Sequence, residues 1–582
     1  MIAASMDVKL TLQGPVLTCS TVRGRFGVDA MMAQSGNHFY LPGTLVKGLI
    51  GEAWQELGGV SPEFRALRNH WLGQKSSTQN LPARGALYFE DFVDRETSVE
   101  GTRTQYRIEI DPERGSVKHG HYLVIDAPYP SGKPVIFEGT LWALAKNRQE
   151  VNQLRSHTQT ALRWIMSVGS ERSIGFGRVL DAQCSPPECV GWQAETGDKS
   201  SPALSLELSF TRPVCFARRR VANNLFESEP WLTGASLKGA LATLLSIDQT
   251  LWPHLREHLH EIRFTHAFPA GASAPRPVYP PESLVKVNDE TRDAIFLKDP
   301  PTGSIAVPEF RVDWKDESDV WRLFGWPDLK RELRVRTAID GELRRAEDQS
   351  LFAYQMIVPD GVSWQASVLL DGVEESVRAE VAAELRAALE HGLFALGKTK
   401  ARAAIIAKPI DLKTAQLRGD TVAITLQTAA LLCDPSRHLA PNGQIGSSDR
   451  DAMRAEYRDV WSDLSGTSLE LENYFHRVSL AGGGYLRHRF QTGDPYRPYL
   501  LTDPGSVFLL RIKDRQKASD CVTRWLRRGL DLSGPVRHFY RLGGIAEREL
   551  WKSCPFLPEN GFGEIAIDLH ETQRDGVEVW HV

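Results

Sequence analysis

The stretches LPGTLVKG at 41–48 and LTGASLKG at 232–239 share leucine, glycine, lysine and glycine at matching offsets, with Gly43 and Gly234 191 residues apart. A strand-like segment precedes each stretch, which favours a strand followed by a helix. Apolar residues recur at helical spacing in and after both stretches, namely Leu45, Leu49, Ile50, Ala53, Trp54 and Leu57 in the first and Leu237, Leu241, Leu244 and Leu245 in the second. The pattern predicts a repeated strand-helix unit.

A glycine-bearing segment is expected to close each repeat. SIGFGRVL at 173–180 is similar to NGFGEIAI at 560–567, at about twice the spacing of the first pair. The middle copy expected between them is LGKTKARAAI at 396–405, which has less glycine and more lysine and arginine. A third echo pairs residues 110–120 with residues 339–350, each before an apolar strand and a proline-containing turn. Three related modules are the simplest account of these spacings.

Turn-rich segments predict the module boundaries. Residues 184–203 are polar and rich in turn-forming residues, which is typical of a linker, and the second boundary is expected near 408–420. We therefore expect modules at 1–190, 200–410 and 415–582. Each has strands at its start, middle and end, one early helix and another helix before the closing loop. This order is compatible with a β-α-β-β-α-β split fold.

The composition is that of an ordinary soluble protein. Of 582 residues, 42% are hydrophobic and 24% are charged, with a formal net charge of −4. A packed core can form, but a nucleic acid could be bound only by local basic patches. No apolar run approaches the ~18 residues of a membrane span, and the start does not follow a basic-then-apolar leader pattern. We therefore expect a cytoplasmic protein without a membrane partner.

The seven cysteines are scattered, which favours reduced thiols over a disulfide framework. Only Cys184 and Cys189 lie close together, and a structural zinc site usually needs a second such pair. No metal site is therefore predicted from the cysteines.

These motifs resemble the repeat-associated mysterious proteins, the RAMP superfamily of CRISPR effector subunits. The similarity is to the backbone subunits of type III complexes, which have an Asp after the first strand, a Pro-Gly-Ser/Thr-x-hydrophobic-Lys-Gly helix start, an arginine-bearing thumb hairpin and a closing glycine-rich loop. Module 1 has all four, with Asp29, the helix start at 42–48, the thumb at 102–120 and the loop at 169–179.

The other two modules match less of this pattern. Module 2 keeps the helix start and a thumb-like RTAIDGELRRAEDQSLFAYQ, with Asn223 and Asn224 where the Asp is expected. Module 3 keeps the closing loop and the segment PYLLTDPGSVFLL at 498–510. Its assignment as a module rests on the repeat length as much as on these motifs.

The resemblance implies an α+β fold of tandem ferredoxin-like or RRM-like RAMP modules with thumb hairpin insertions. It implies a fused backbone-type subunit, as in type III-D or III-E systems, that acts in antiviral defence with a CRISPR guide RNA, a complementary target RNA and other type III effector subunits as partners. It also implies metal-assisted cleavage of target RNA, in which Asp29 holds a divalent cation, Mg²⁺ or Mn²⁺, or orients the attacking 2′-hydroxyl. Asp29 is therefore the candidate catalytic residue of an RNA-guided endoribonuclease.

Basic residues and glycines in these motifs are the candidate RNA contacts, because cations and free backbone N–H groups bind phosphate. The thumbs contribute Arg103, Arg107, Arg114 and Lys118 in module 1 and Arg336, Arg344 and Arg345 in module 2. The closing loops contribute Arg172, Gly175, Gly177, Arg178, Lys398 and Lys400. Two further sets are the helix-start lysines Lys47 and Lys238, whose repulsion from the helix dipole a bound phosphate would relieve, and the run Arg218, Arg219 and Arg220, expected on a loop that matches the Asp29 loop.

Other interpretations of these residues stay open. A loop Asp is commonly a turn or cap residue, a charged hairpin is commonly a solvated surface, and Lys47 and Lys238 can extend to solvent. For the whole chain, one alternative is a non-catalytic scaffold or a subunit that caps the 5′ handle of the guide, in which Asp29 is structural. Another is a guide-processing ribonuclease that uses His119 or His121. GKTK lacks Walker spacing, so nucleotide hydrolysis is disfavoured.

Overall fold

The chain forms three main antiparallel sheets, one after another along the sequence. A computed structural model describes residues 1–18, 28–74, 83–97, 103–192, 202–222, 224–287, 290–297, 305–306, 320–339, 346–412, 414–437, 450–491 and 496–569. The three sheets are formed by residues 2–191, 203–409 and 421–567 and are referred to below as the sheets of modules 1, 2 and 3.

Module 1 contains strands β1–β13 and helices α1–α3. They are β1 (Ile2–Gln13), β2 (Ala30–Met31), β3 (Gln34–Ser35), β4 (His38–Leu41), α1 (Gly43–Leu57), α2 (Glu63–Leu67), β5 (Gly73–Gln74), β6 (Ala83–Arg84), β7 (Leu87–Phe89), β8 (Phe92–Asp94), β9 (Arg103–Ile110), β10 (Val117–Ala127), β11 (Pro134–Ala145), α3 (Arg148–Trp164), β12 (Arg178–Cys184) and β13 (Glu188–Gly191). The central strand order is β12-β1-β11-β7, and α1 and α3 pack together against this sheet.

Module 2 contains strands β14–β26 and helices α4–α7. They are β14 (Ala203–Phe210), β15 (Ala217–Ala222), β16 (Leu225–Ser228), α4 (Gly234–Ile247), α5 (Pro253–His258), β17 (Arg263–Phe264), β18 (Phe268–Gly271), β19 (Leu284–Val287), β20 (Glu290–Asp293), β21 (Ile305–Ala306), α6 (Val320–Leu323), β22 (Arg331–Ile339), β23 (Ala346–Ile357), β24 (Val362–Leu369), α7 (Glu375–Leu389), β25 (Leu393–Leu396) and β26 (Ala401–Pro409). The central strand order is β17-β24-β14-β26.

Module 3 contains strands β27–β32 and helices α8–α11. They are β27 (Thr421–Leu426), α8 (Arg450–Leu464), β28 (Leu469–Phe475), β29 (Val478–Ala481), α9 (Gly484–Phe490), β30 (Tyr499–Thr502), β31 (Val507–Ile512), α10 (Arg515–Arg528), α11 (Gly534–Phe539) and β32 (Ile565–Ile567). The central strand order is β28-β31-β27-β32.

The same connectivity recurs in all three sheets. Numbered along each module, the core strands lie in the order 2-3-1-4, with one long helix after the first strand and another long helix after the third. This is the split β-α-β-β-α-β arrangement of ferredoxin-like folds. The α+β fold of tandem ferredoxin-like modules predicted from the sequence is confirmed.

Each module also carries an insertion between its second and third core strands. In module 1 the insertion contains the antiparallel hairpin β9–β10, and in module 2 it contains β18–β21, α6 and the antiparallel hairpin β22–β23. These are the expected thumb hairpins. Module 3 has β29, α9 and β30 at this place instead, an insertion that the sequence did not predict.

The glycine shared by the two quoted stretches allows a close backbone contact. A Cβ on Gly43 would lie 2.3 Å from the carbonyl oxygen of Glu90, and a Cβ on Gly234 would lie 1.9 Å from that of Phe264. Both distances are far below van der Waals contact, so a larger residue would displace the helix start. Since β17 contains Phe264 and Glu90 lies between β7 and β8, this glycine seats α1 and α4 against the second strand of their modules.

Modules 2 and 3 are joined through the closing loop of module 3. A Cβ on Gly561 would lie 2.5 Å from the carbonyl oxygen of Phe264, which shows how closely this loop packs on module 2. Beside it, both terminal nitrogens of Arg276 donate to the carboxylate of Glu564, at 2.8 and 2.9 Å; Glu564 is buried and Arg276 is partly buried. This joint therefore combines a close backbone contact with a bidentate ion pair.

Within the described residues, no helix combines the length and the apolar character needed to cross a lipid bilayer.

Candidate nucleic-acid interface

Asp29 lies at the base of the first thumb hairpin. It directly precedes β2, which pairs in parallel with β10 of the hairpin. The Asp29 amide donates to the carbonyl oxygen of Val124, and the Val124 amide donates to Oδ2 of Asp29, both at 2.8 Å. The side chain is exposed. The main chain of the thumb therefore orients the Asp29 carboxylate while leaving it accessible to a ligand.

Module 2 has an asparagine at the equivalent position. Asn224 directly precedes β16, which pairs in parallel with β23 of the second thumb hairpin. Leu225 is in register with Ala353 just as Ala30 is in register with Ile125. Asn224 therefore corresponds to Asp29, and this position of module 2 has an amide in place of a carboxylate. Asn223 lies outside the described residues.

The closing loop of module 1 meets the base of the same thumb. An ion pair between Arg107 on β9 and Glu171 joins them. Next to this pair is a cleft of about 430 Å³, lined by Gln13, Gly14, Pro15, Gln105, Ser131, Ile174, Gly175, Phe176 and Arg178. Arg172 and Arg178 are exposed beside it. The structure therefore brings one predicted thumb residue, Arg107, close to the closing loop that contains Gly175 and Arg178.

Gly177 shapes this closing loop. Its φ is +61°, and a Cβ there would lie 1.9 Å from the carbonyl oxygen of Val168. A side chain at this position would be strained by both the dihedral angle and the contact. The Gly177 amide donates to Pro15, so its role is to shape the loop through contacts within module 1.

The first thumb carries an exposed aromatic pair. Tyr106 and Tyr122 are 63% and 55% exposed, and their rings stack with centroids 5.8 Å apart. Ile108 and Ile110 are also exposed on β9, at the alternate positions that share one face with Tyr106. Arg114 and Lys118 are exposed near the hairpin tip. Such a surface can stack on unpaired bases while its cations bind phosphates.

In module 2, the thumb and the closing loop are linked by aromatic rings. The guanidinium of Arg336 on β22 lies 5.5 Å from the centre of the Tyr354 ring, and the Lys398 ammonium lies 4.8 Å from that of Phe226. The two rings are themselves 5.4 Å apart. Arg336 and Lys398, predicted separately, thus belong to one cluster close to Asn224.

A second group of cations lies where modules 1 and 2 meet. Partial burial and the charges of Arg84, Lys398 and Lys47 lower the pKa of Lys400 to about 8. We call Lys47, Arg84, Lys398 and Lys400 the seam cations. Their mutual repulsion favours an anionic ligand, because phosphate would relieve it.

Arg212 holds the Lys400 segment in place, although nothing in the sequence distinguished it. Its guanidinium donates to the carbonyl oxygen of Phe89 in module 1 and to those of Thr399 and Lys400, the latter at 2.7 Å. Burial lowers its pKa. Its only signal is a basic residue next to a proline after a strand, a pattern too common to identify it.

The second thumb is anchored on module 1 by a largely buried ion pair. Arg334 on β22 donates to Oδ2 of Asp91 at 2.6 Å and to Oε1 of Glu332 at 2.5 Å, and its guanidinium lies 4.5 Å from the centre of the Tyr40 ring. Burial opposes ionisation of Asp91, but Arg334, Arg212 and the Gly43 amide outweigh it, so its pKa lies below the usual value. The pair fixes the position of the thumb.

Both helix-start lysines bond to main-chain carbonyls inside their own module. The Lys47 ammonium donates to Leu72 at 2.9 Å, and the Lys238 ammonium donates to His260 and Ile262 at 3.1 and 2.9 Å. Burial lowers the pKa of both, and that of Lys238 to about 8. This differs from the expected geometry, in which each lysine meets a phosphate at its helix end, because the helix start packs on the segment before the second strand. RNA contact by these two lysines stays a prediction.

The arginine run 218–220 is on a strand rather than on the expected loop. These residues form part of β15, which pairs with β16, because the chain forms a small sheet beside the second thumb. Several predicted side chains lie outside the described residues, namely those of Arg103, Arg218, Arg219, Arg220, Arg344, Arg345, His119 and His121.

The donor set near Asp29 limits how a metal ion could be bound. Within the described part of the chain, no group of three or more His, Cys, Asp or Glu side chains is placed to hold an ion. Asp29 offers one exposed, oriented carboxylate. Mg²⁺ is commonly held by one or two carboxylates together with substrate phosphates, so Asp29 fits this kind of site when RNA supplies the remaining oxygens.

No family model and no curated protein matches the chain. Among solved structures, a chain of the type III-B Cmr-beta complex bound to cognate target RNA is 14% identical, with a TM-score of 0.24, over 32% of this chain and 61% of that chain. A chain of the same complex with cognate target RNA and AMPPnP is 12% identical, with a TM-score of 0.27, over 53% of this chain and 86% of that chain. A chain of a type IV-B CRISPR complex is 11% identical, with a TM-score of 0.24, over 33% and 93%. The chain thus spans less than two thirds of the first of these.

Proposed function

We propose that the chain is the RNA-binding backbone of a CRISPR effector complex. In this proposal the modules at 1–190, 200–410 and 415–582 are one fused subunit that binds a guide RNA and a complementary target RNA and contacts other effector subunits of a type III complex. The supporting observation is a convergence that occurs twice. In modules 1 and 2, the thumb hairpin, the strand after Asp29 or Asn224 and the closing loop meet, with cations and aromatic rings around them.

Module 1 is the proposed site of target cleavage. The exposed rings of Tyr106 and Tyr122 would stack on unpaired bases at the thumb, which would splay the RNA backbone beside Asp29. The Asp29 carboxylate would accept the proton of the 2′-hydroxyl, whose oxygen attacks the adjacent phosphorus and displaces the 5′-oxygen. A bound Mg²⁺ or Mn²⁺ would supply positive charge at that phosphate. Asn224 cannot accept this proton, so module 2 is proposed to bind without cutting.

One observation favours a second candidate function. The Asp29 carboxylate accepts a hydrogen bond from the Val124 amide, which gives it a structural role even without catalysis. On this alternative the chain is a scaffold, or a subunit that caps one end of the guide. Catalysis and scaffolding predict different cleavage rates for a variant in which only the charge of Asp29 is removed.

RNA binding should depend on salt through the seam cations. We expect the protein to bind single-stranded RNA with an affinity that falls steeply as salt concentration rises. In the double variant with Lys398→Ala and Lys400→Ala, the slope of log binding constant against log salt concentration should be shallower by about 0.7 for each phosphate that is no longer neutralised. Filter binding across a salt series measures this slope. Replacing Lys9 and Lys146, two lysines outside the seam, is the matched control. Absence of RNA binding by the wild type would exclude the proposed function.

The lowered pKa of Lys400 predicts a pH dependence. At pH 7 its ammonium is charged, and above its pKa of about 8 the charge is lost, so affinity for RNA should fall as pH rises from 7 to 9.5. We expect about a tenfold fall, the size of one charge-assisted hydrogen bond. Lys400→Arg keeps its charge in this range and should bind with a nearly flat profile. Identical profiles for the wild type and the arginine variant would show that Lys400 does not contact phosphate.

A further inference from the structure

The insertion of module 3 occupies the topological place of the two thumb hairpins. It lies between β28 and β31, the second and third core strands, and consists of β29, α9 and β30. Tyr485 on α9 is 65% exposed, and Trp551, which lies after α11 and is 43% exposed, is next to Arg489 of α9. We call Tyr485, Arg489, Trp551 and Lys552 the module 3 patch.

A rigid base supports this patch. Leu486 packs against the core that contains buried Leu550, Tyr499 and Tyr540. Half-buried Leu486 follows Tyr485 and buried Leu550 precedes Trp551 in the chain, so each exposed ring is next to a side chain that packs in or on this core. The two aromatic rings are therefore presented to solvent by an ordered surface, which lowers the entropic cost of binding a ligand.

Two cations lie next to the exposed Trp551 ring. The guanidinium of Arg489 lies 5.2 Å from the centre of the Phe490 ring and 5.6 Å from that of Trp551, and the Lys552 ammonium lies 5.9 Å from that of Trp551. Among nearby acids, Glu549 pairs with Lys552 at 2.9 Å and Glu547 pairs with Arg537 at 2.6 Å. Both glutamates are thus already paired with cations, and the structure describes no carboxylate within ion-pair distance of Arg489.

From this combination we infer that the module 3 patch binds an unpaired RNA segment, with a base stacked on Trp551 and a phosphate bound by Arg489. Exposed aromatic rings interleaved with cations fit a strand whose bases and phosphates alternate. Charge complementarity favours this occupant over a protein partner. The inference rests on the proposed function and adds a third contact surface to the two thumbs.

Nuclease protection of RNA on the full-length chain tests this inference. The probe is the RNA that copurifies with the protein, labelled at its 5′ end, alone or annealed to a complementary RNA with unpaired ends. We expect Trp551→Ala to lose protection of one short unpaired segment and to bind about tenfold more weakly. Trp551→Phe, which keeps a stacking ring, should retain protection. Trp164→Ala, which removes an exposed tryptophan of module 1, is the control.

The outcomes separate the two proposals and the two sources of RNA. Loss confined to the copurified strand assigns the segment to the guide, and loss confined to the overhang assigns it to the target. Unchanged protection with Trp551→Ala, loss of protection along the whole RNA, or loss of a protein partner with RNA protection intact would each overturn the inference. If the wild type protects no RNA, it is the proposed function that fails.

Discussion

Replacing Asp29 by asparagine is expected to reduce cleavage of complementary target RNA by about 10²- to 10⁴-fold, the range attributed to a positioned general base. The asparagine oxygen can still accept the hydrogen bond from the Val124 amide, so the thumb base should stay in place. Guide and target affinities should therefore remain within about twofold of the wild-type values. Cleavage of a labelled target in Mg²⁺ or Mn²⁺, alongside filter binding of the same RNA, measures both effects.

The matched control for this variant is in module 2. Asn224→Ala alters the position equivalent to Asp29 and should leave the cleavage rate unchanged, because the side chain of Asn224 has no proposed part in the reaction. Asp29→Ala removes both the charge and the acceptor for Val124. Normal cleavage by the asparagine variant together with reduced stability of the alanine variant would assign Asp29 a structural role and favour the scaffold.

Replacing Arg334 by methionine should destabilise the protein by about 3–5 kcal/mol, the usual cost of leaving one member of a buried ion pair without its partner. Asp91 would keep its bond from Gly43 but lose the guanidinium, and the Tyr40 ring would lose its cation. Urea denaturation followed by intrinsic fluorescence should show unfolding with its midpoint at a lower urea concentration than in the wild type. Cleavage and RNA binding should also weaken if the second thumb is released from module 1.

A double variant tests the specificity of this effect. Arg334→Met combined with Asp91→Asn removes both charges, so it should cost less than Arg334→Met alone. The pKa of Asp91 is lower in the folded protein than in the unfolded chain. Its contribution to the free energy of unfolding is therefore fully present above the unfolded pKa and is lost as pH falls through the folded pKa. Asp91→Asn should remove this part of the acid sensitivity. A double variant destabilised by the sum of the losses in Arg334→Met and Asp91→Asn alone would contradict coupling between Asp91 and Arg334.

The spacing of short motifs predicted the fold because the helix starts and the closing loops each require particular residues at fixed places. Gly43 and Gly234 recur because both helix starts lie against a neighbouring strand, and such a requirement leaves a visible repeat. Closing loops before the fourth strand left a second visible repeat, including the middle copy at 396–405. Each feature places its requirement on a short stretch of residues that recurs along the chain, so one sequence was enough to identify it.

Partner choice across modules could not be predicted in the same way. Arg334 pairs with Asp91, 243 positions away, and Arg212 binds carbonyl oxygens of both modules 1 and 2, although neither arginine is in a motif. The sequence does not show that Lys47 and Lys238 donate hydrogen bonds to main-chain carbonyls. Those carbonyls belong to the segment before the second strand, which packs on the helix start only in the folded module. The patch on module 3 was missed because Tyr485 and Trp551 are far apart in the chain.

The joint between Arg276 and Glu564 has a consequence for how the protein behaves on dilution. Separate subunits held by such a contact would dissociate as their concentration fell, because their association is bimolecular. Here both partners belong to one chain, so the effective concentration of each for the other is set by the connecting polypeptide and does not change with dilution. The relative order and number of the modules are therefore constant at every protein concentration.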